Sequence, residues 1–172
     1  DQNALILVGY DGIQNIQEGL DAASNGDTIL VAPGTYTGTG NTQLVLNFGA
    51  TSIVLMSEMG AESTIIDMED QENTRGIAFT SGEDSKTVLD GFTFINGYAS
   101  SGGGIYCYGS SPTIKNCIIT NCQAEGYGGG IDLQYNSQPK IINCTISDNL
   151  SMSEGGGINC LNSSPTLTDV II

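Results

Sequence analysis

The second half of the chain repeats itself with a period of 26 to 27 residues, and this repeat restricts the chain to a stacked architecture. The tetrapeptide Gly-Gly-Gly-Ile occurs three times, at 102–105, 128–131 and 155–158. A Pro follows each copy, and behind it come matched columns of Ile or Leu, Asn or Asp, and Cys or Val. A fainter copy upstream aligns Val88 with Ile114. A unit this short cannot bury its apolar side alone, so successive copies are expected to stack.

The residues within each copy predict strands. Segments such as 112–116 carry β-branched residues at alternate positions and are bounded by Gly, Ser or Asn. A helical repeat would need a continuous run with a period of 3.6 residues, which these segments lack. Strands stacked at a spacing of about 4.8 Å would build a parallel solenoid with a continuous core. The stretch from Thr28 to Ile172 has room for about five such coils.

The first 27 residues are predicted to cap this solenoid. We expect a short strand and then a helix whose N-cap is Asp11, with Gln14 three residues later. The apolar face of this helix would contain Ile13, Ile16, Leu20 and Ala23. The expected organisation is therefore a cap at 1–27 and a single domain of coils at 28–172.

The cap and the repeats together resemble a known family. The pattern IQxxLDAAxxGDTILVAPGTY at 16–36, followed by GGGI and SPTIKNC repeats, resembles the N-terminal cap and coils of a right-handed parallel β-helix of the pectate-lyase-like superfamily. The short repeats resemble those of bacterial secreted and surface proteins. The resemblance implies an all-β, right-handed parallel β-helix with an α-helical cap, and a secreted or cell-surface location. It leaves activity open, because this fold supports lyases, hydrolases, adhesins and structural rods.

The repeated Asn column has a structural interpretation under this resemblance. It looks like the inward asparagine ladder of the superfamily, in which side-chain amides hydrogen-bond along the stack at a tight turn. Such a buried row satisfies its own polar groups, so we assign it no ligand. Its predicted members are Asp90, Asn116, Asn143 and Asp169.

The five cysteines include no CxxC pair, so a zinc site is not predicted. Cys117 is expected to lie directly above Cys144, where the strand spacing of about 4.8 Å exceeds the Cβ separation of about 3.8 Å that a disulfide prefers. We therefore expect free thiols that act as small apolar fillers. Cys122 falls in a turn and is predicted to be the most reactive.

Charge and composition exclude several functions. Four basic and 19 acidic residues give a net charge of −15, which opposes binding to nucleic acid or to an anionic membrane. The chain has no His, so a catalytic imidazole is impossible. The short apolar run from Ala4 to Val8 cannot insert into a bilayer. The expected partners are a polysaccharide or another protein.

Two groups of side chains are candidates for binding. Tyrosines around the glycine-rich segments would form either a platform for sugar rings or a contact patch for another protein, and both interpretations stay open. They are Tyr98, Tyr106, Tyr108, Tyr127 and Tyr135. An acidic run beside Arg75 could bind calcium, although a solvated turn is favoured because the run lacks known calcium-loop spacing. It contains Asp67, Glu69, Asp70 and Glu72. No other cofactor is predicted.

These features favour a non-catalytic extracellular module that is structural, adhesive or glycan-contacting. The alternative is a lyase or glycoside hydrolase acting on an extracellular polysaccharide, with Arg75, Lys86, Lys115 and Lys140 as its basic candidates. The hydrolase motifs of the superfamily (NTD, a DD pair, GHG and RIK) are missing from the sequence. Because the last repeat stops midway, we expect the final coil to be covered by the rest of a longer protein or by another subunit, and the second arrangement would build a filament.

Overall fold

The computed structural model of the chain describes residues 3–10, 12–46 and 52–172. This part contains one helix, α1 (Ile16–Ala22), and twenty short strands. In chain order the strands are β1 (Leu5–Val8), β2 (Thr28–Val31), β3 (Gly34–Tyr36), β4 (Leu44–Val45), β5 (Val54–Ser57), β6 (Thr64–Asp67), β7 (Ile77–Phe79), β8 (Val88–Asp90), β9 (Thr93–Ile95), β10 (Tyr98–Ser101), β11 (Ile105–Tyr108), β12 (Thr113–Lys115), β13 (Ile118–Thr120), β14 (Gln123–Tyr127), β15 (Ile131–Gln134), β16 (Lys140–Ile142), β17 (Thr145–Ser147), β18 (Leu150–Ser151), β19 (Ile158–Leu161) and β20 (Thr166–Thr168).

The strands stack in parallel into four sheets, which the later coils visit in a fixed order. The first sheet is β1-β2-β5-β8-β12-β16-β20, and the second is β3-β6-β9-β13-β17. The third sheet is β10-β14-β18, and the fourth is β4-β7-β11-β15-β19. The result is a parallel β-solenoid of about six turns with one short helix near its N-terminus. The predicted fold class is confirmed, and the predicted number of coils is close to the observed one.

The core lies inside the coils because alternate side chains point inward. In β11, Ile105 and Cys107 are fully buried, whereas Tyr106 and Tyr108 face outward. Register places Ile77, Ile105 and Ile131 directly above one another, and all three are inaccessible to solvent. Burial of one such side chain contributes about 1.5–3 kcal/mol, and the column repeats this contribution along the solenoid.

Helix α1 covers the N-terminal end of the core, but it is shorter than predicted. Asp11, the predicted N-cap, lies outside the described residues. The N-cap is Asn15, whose Oδ1 accepts a hydrogen bond of 2.9 Å from the backbone N–H of Glu18. Ile13 precedes the helix and pairs with Val8 in a β-bridge instead. Ile16 and Leu20 are fully buried, as the predicted apolar face requires.

The helix also protects an edge of the fourth sheet. The side-chain amide of Gln17 pairs with the backbone of Val45: its Nε2 donates to the carbonyl at 3.0 Å, and its Oε1 accepts from the N–H at 3.1 Å. These are the bonds that a neighbouring strand would otherwise make. The backbone N–H and C=O of Val45 in β4 are therefore not available to pair with another strand.

The corner between the first and second sheets carries the predicted row of amides. Asn116 and Asn143 adopt left-handed backbone angles, with φ of 54° and 50°, and Asp169 at the equivalent position has a φ of 52°. Asn143 Nδ2 donates to Asn116 Oδ1 at 2.9 Å, and Asn116 Nδ2 donates to Asp90 Oδ1 at 2.6 Å. The amides of Asn116 and Asn143 are exposed, so the ladder does not point inward as the resemblance implied.

The upstream alignment is wrong by one residue. Leu89, not Val88, pairs with Ile114, and Asp90 pairs with Lys115, whose Nζ lies 3.1 Å from Asp90 Oδ2. Gly91 therefore occupies the corner position, and its φ of 79° fits that turn. Phe92 then takes the position of Cys117, so a large ring fills a column where the later coils use a thiol.

All five cysteines are free in the structure, and only Cys160 is exposed. The prediction that Cys122 is the most reactive thiol is wrong. Its side chain is fully buried, and this burial raises its pKa to about 12. The turn exposes the backbone around Cys122, but the side chain points into the core.

Candidate functional site

Three of the five candidate tyrosines form a contiguous aromatic surface, which we call the tyrosine cluster: Tyr106, Tyr108 and Tyr135. The rings of Tyr108 and Tyr135 stack with centroids 4.6 Å apart and an interplanar angle of 29°. Tyr106 lies 6.4 Å from Tyr108. Tyr108 is 38% exposed and Tyr135 is 63% exposed, so one side of the stacked pair faces solvent.

Local structure explains why these rings meet. Tyr106 and Tyr108 occupy the two outward positions of β11, at the same spacing as the inward Ile105 and Cys107. Tyr135 lies just after β15, where its backbone turns into the left-handed region with a φ of 59°. The turn carries the Tyr135 ring from the neighbouring coil onto Tyr108.

Arg75 packs behind the cluster. Its guanidinium carbon lies 4.8 Å from the centroid of the Tyr106 ring, which is a cation–π contact. Burial lowers the pKa of Arg75 from its usual value, although the group stays charged at neutral pH. Arg75 was predicted only as a basic candidate beside the acidic run, and the structure places it against an aromatic ring.

Asp132 is a buried carboxylate below the cluster that sequence reasoning missed. It occupies the outward column between Tyr106 and Asn159, yet it is inaccessible to solvent. Asn159 Nδ2 donates to Asp132 Oδ1 at 2.7 Å, and Gln134 Nε2 donates to Asp132 Oδ2 at 2.8 Å. Burial raises the pKa of Asp132. Asp132 orients Gln134, which in turn accepts a hydrogen bond of 3.5 Å from Tyr106 Oη.

The other two tyrosines lie on the third sheet. Tyr98 Oη donates to Glu125 Oε1 at 3.1 Å, and this bond raises the pKa of Tyr98. The negative charge of Glu72 raises the same pKa further. Tyr127 ends β14, where it pairs in register with Ser101. In the described part of the chain, no ring contact joins Tyr98 or Tyr127 to the tyrosine cluster. The five candidates therefore do not form one row: three make the tyrosine cluster, and two lie on another sheet.

The acidic run does not assemble into a metal site. Asp67 Oδ1 accepts bonds from the backbone N–H of Glu69 and from Asn96 Nδ2, each at 2.9 Å. Glu69 and Asp70 form a tight turn with φ values of 55° and 53°. Among the described residues, no three acidic or thiol side chains come close enough together to hold an ion. The calcium hypothesis for Asp67, Glu69, Asp70 and Glu72 therefore has no ligand set in the structure.

A cleft of about 670 Å³ opens beside this run. One wall comes from the segment 68–74, which carries Glu69 and Glu72, and the other comes from the loop 38–43 and from Gln17 of α1. Its lining mixes apolar groups, including Val45 and Met68, with the hydroxyls and amides of Thr39, Thr42 and Gln43. We call this feature the acidic cleft. Its volume is in the range of small-molecule sites.

Lys115, another of the four basic candidates, lies apart from both surfaces. It belongs to β12 of the first sheet, where its ammonium pairs with Asp90.

Within the described residues, the structure contains no helix with the length and apolar content that crossing a bilayer requires.

Comparison with known proteins identifies one family. A family model described as a right handed beta helix region matches residues 35–172, which is most of the chain. No curated protein and no solved structure matches the chain significantly.

Proposed function

The chain belongs to the right-handed β-helix family, and on that premise we propose that it is a non-catalytic extracellular module that contacts glycans. The observation that carries this proposal is the stacked and exposed pair of Tyr108 and Tyr135. Aromatic faces bind the apolar side of a sugar ring, and a pair held in one orientation loses little conformational freedom on binding.

The surroundings of the pair support this function. Tyr106 contacts the Arg75 guanidinium and donates a hydrogen bond to Gln134 Oε1. Its strand β11 is paired along both edges, with β7 and with β15. Arg75 adds a guanidinium with N–H donors beside the Tyr106 ring, and its charge interacts with that of Asp132. The cluster therefore combines ring faces with directional polar groups, which is the composition of carbohydrate sites.

The same geometry favours binding over catalysis. Asp132 is the carboxylate next to the cluster, but its two oxygens accept bonds from neighbouring amides and the side chain is covered. A general acid or base must reach the proton that it transfers. The lyase or hydrolase alternative would need Asp132 to become accessible.

Binding to soluble polysaccharides tests the proposal. We expect affinity electrophoresis on a panel of neutral and charged plant and microbial polysaccharides to give retardation of the native chain. Tyr108→Ala and Tyr135→Ala should each weaken binding roughly two- to tenfold, because an aromatic contact contributes about 0.5–1.5 kcal/mol. Tyr10→Ala is the matched control, since Tyr10 is comparably exposed at the other end of the chain.

Two results would contradict the proposal. Retardation by no polysaccharide would remove glycan contact as the function. Release of reducing ends or unsaturated products, abolished by Asp132→Asn or Arg75→Ala, would replace the module with the enzyme. Association of copies through the C-terminal coil stays a separate prediction, which light scattering over a concentration series would test.

A further inference from the structure

We propose that the acidic cleft, extended by Tyr98 and Glu125, binds amine-bearing sugar units of a glycan. This inference rests on the proposed function and assigns the ligand class of a second surface. Tyr98 and Glu125 lie on the third sheet, whereas Tyr106 and Tyr108 of the tyrosine cluster lie on the fourth.

The cleft has the dimensions and lining of a saccharide site. Its volume of about 670 Å³ holds a small oligosaccharide, and it is open on one side. Threonine hydroxyls and glutamine amides on its walls match the donors and acceptors of sugar hydroxyls. A flat surface would not enclose a ligand in this way.

The charge of the cleft selects against anions. Glu69 and Glu72 line it, whereas none of the four basic residues of the chain does. In the part of the chain that the structure describes, neither carboxylate forms an ion pair with a basic side chain. Two uncompensated carboxylates on a chain of net charge −15 attract a cation and repel uronates or sulfated sugars.

The binding surface continues from the cleft onto the next two coils. Thr74 N–H donates to the Tyr98 carbonyl at 2.8 Å, and Tyr98 N–H donates to the Thr74 carbonyl at 2.9 Å, so the cleft wall is bonded to β10. Tyr98 then reaches Glu125 of the following coil through its hydroxyl. Glu72 pairs with Tyr98 in a β-bridge, so Glu72, Tyr98 and Glu125 stand on three successive coils.

This order of groups matches an amino sugar. The Tyr98 ring offers an aromatic surface to the apolar face of a pyranose, and a carboxylate on each side can accept from an ammonium on the same or the adjacent unit. The raised pKa of Tyr98, caused by Glu125 and Glu72, agrees with both carboxylates lying close to the ring. A basic peptide could satisfy the carboxylates but would make no use of the hydroxyl-matching walls.

The test compares two oligosaccharides that differ only in charge. Titration calorimetry at low ionic strength and mildly acidic pH would use a glucosamine hexamer and the matching N-acetylglucosamine hexamer. We expect the glucosamine hexamer to bind more tightly and to lose affinity as salt is added. The double variant Glu69→Gln/Glu72→Gln should weaken binding of the glucosamine hexamer about five- to tenfold. It should leave the affinity for the N-acetylglucosamine hexamer unchanged. Glu62→Gln/Glu154→Gln, at two exposed carboxylates outside the cleft, is the control that removes the same two charges.

The outcomes separate this inference from the proposed function. Equal affinity for the two hexamers, or no effect of the double variant, overturns the inference while leaving glycan contact at the tyrosine cluster intact. Hexalysine binding as tightly as the glucosamine hexamer also overturns it, because charge alone would then explain the attraction. Loss of binding in Tyr108→Ala with no loss in the double variant would assign all glycan contact to the tyrosine cluster.

Discussion

The later coils of the solenoid repeat closely and the early coils do not, and the two candidate surfaces follow this division. From β10 onward each coil has a strand in the third sheet and a glycine corner, which we define as residues 102–104, 128–130 and 155–157. In the early coils, the segments 37–43 and 68–74 replace that strand. Regular stacking produces the exposed tyrosine cluster, whereas the irregular segments enclose the acidic cleft. The regular repeat thus produces flat rows of side chains, whereas the irregular segments produce a cleft.

The glycine corner should show the largest difference between the two regions. A Cβ at Gly129 would lie 2.3 Å from the carbonyl oxygen of Leu150 and 2.6 Å from that of Gly156, and backbone cannot move aside cheaply. We expect Gly129→Ala to lower the free energy of unfolding by about 3 kcal/mol or more. A Cβ at Gly38 in the cleft loop would lie within 4 Å of no other atom. Gly38→Ala should therefore cost only the backbone strain of its φ of 69°, about 1–2 kcal/mol. Urea denaturation measures both, and equal losses would contradict the comparison.

A single core column sharpens the comparison further. Phe92 in an early coil and Cys117 in the next occupy the same inward position, and both are buried. We expect Phe92→Ala to cost about 3–5 kcal/mol and Cys117→Ala about 1 kcal/mol, because the volume removed differs greatly. Chemical denaturation of the two variants would show this ratio. A larger loss for the thiol would mean that the later coils, not the early ones, carry the tightest packing.

Two carboxylates should give the regions opposite pH dependence. Asp27 accepts bonds from the backbone N–H groups of Ala4 and Ser24 at 2.7 Å and 2.9 Å, and these bonds lower its pKa. Its contribution to stability is present above the usual Asp pKa of 3.8 and is lost as the pH falls. Asp132 has a pKa raised by burial, so its contribution is greatest below 3.8 and declines as the pH rises through its folded pKa.

The measurement compares each protein with its Asn variant between about pH 3 and about pH 7. The stability of the wild type minus that of Asp27→Asn should increase with pH, whereas the same difference for Asp132→Asn should decrease. A change in the same direction with pH at both positions would contradict the opposite pKa shifts of Asp27 and Asp132.

The smallest expected effect is a chemical one that leaves stability unchanged. Cys160 is exposed, while the four other thiols are buried, so a brief treatment of the native chain with iodoacetamide should add one label. Mass spectrometry after digestion should place that label on Cys160, and denatured protein should accept five. A label on Cys122 in the native chain would show that the later coils open locally.

The repeat allowed the fold to be predicted because identical columns must coincide in a stack. The Gly-Gly-Gly-Ile segments and the equivalent residues Asn116 and Asn143 directly indicate the register of neighbouring coils. Prediction failed where an early coil has a different residue at the equivalent position. Phe92 replaces Cys and Gly91 replaces Asn, so the alignment slipped and Asp90 was placed one position too far.

The candidate sites were less predictable because they depend on contacts between coils. Tyr106, Tyr108 and Tyr135 could be nominated as exposed rings, but the contact of Arg75 with Tyr106 follows from the register of β7 with β11, which no local pattern reveals. Asp132 was missed for a different reason. A carboxylate at an outward position predicts exposure, but contacts with side chains of neighbouring coils and of its own strand, including Asn159 and Gln134, cover it.

The in-register stacking of the coils also means that the solenoid can change its length only in fixed increments. Because Ile114 pairs with Ile141 and Cys117 occupies the position below Cys144, an extra copy of the segment between these columns would meet the same neighbours above and below. Such an insertion would move everything beyond it by one strand spacing, about 4.8 Å, without changing the coils themselves. The length of the solenoid, and with it the number of outward rows that it presents, is therefore set in whole coils, and duplication or deletion of a coil changes this length without altering the coils before it.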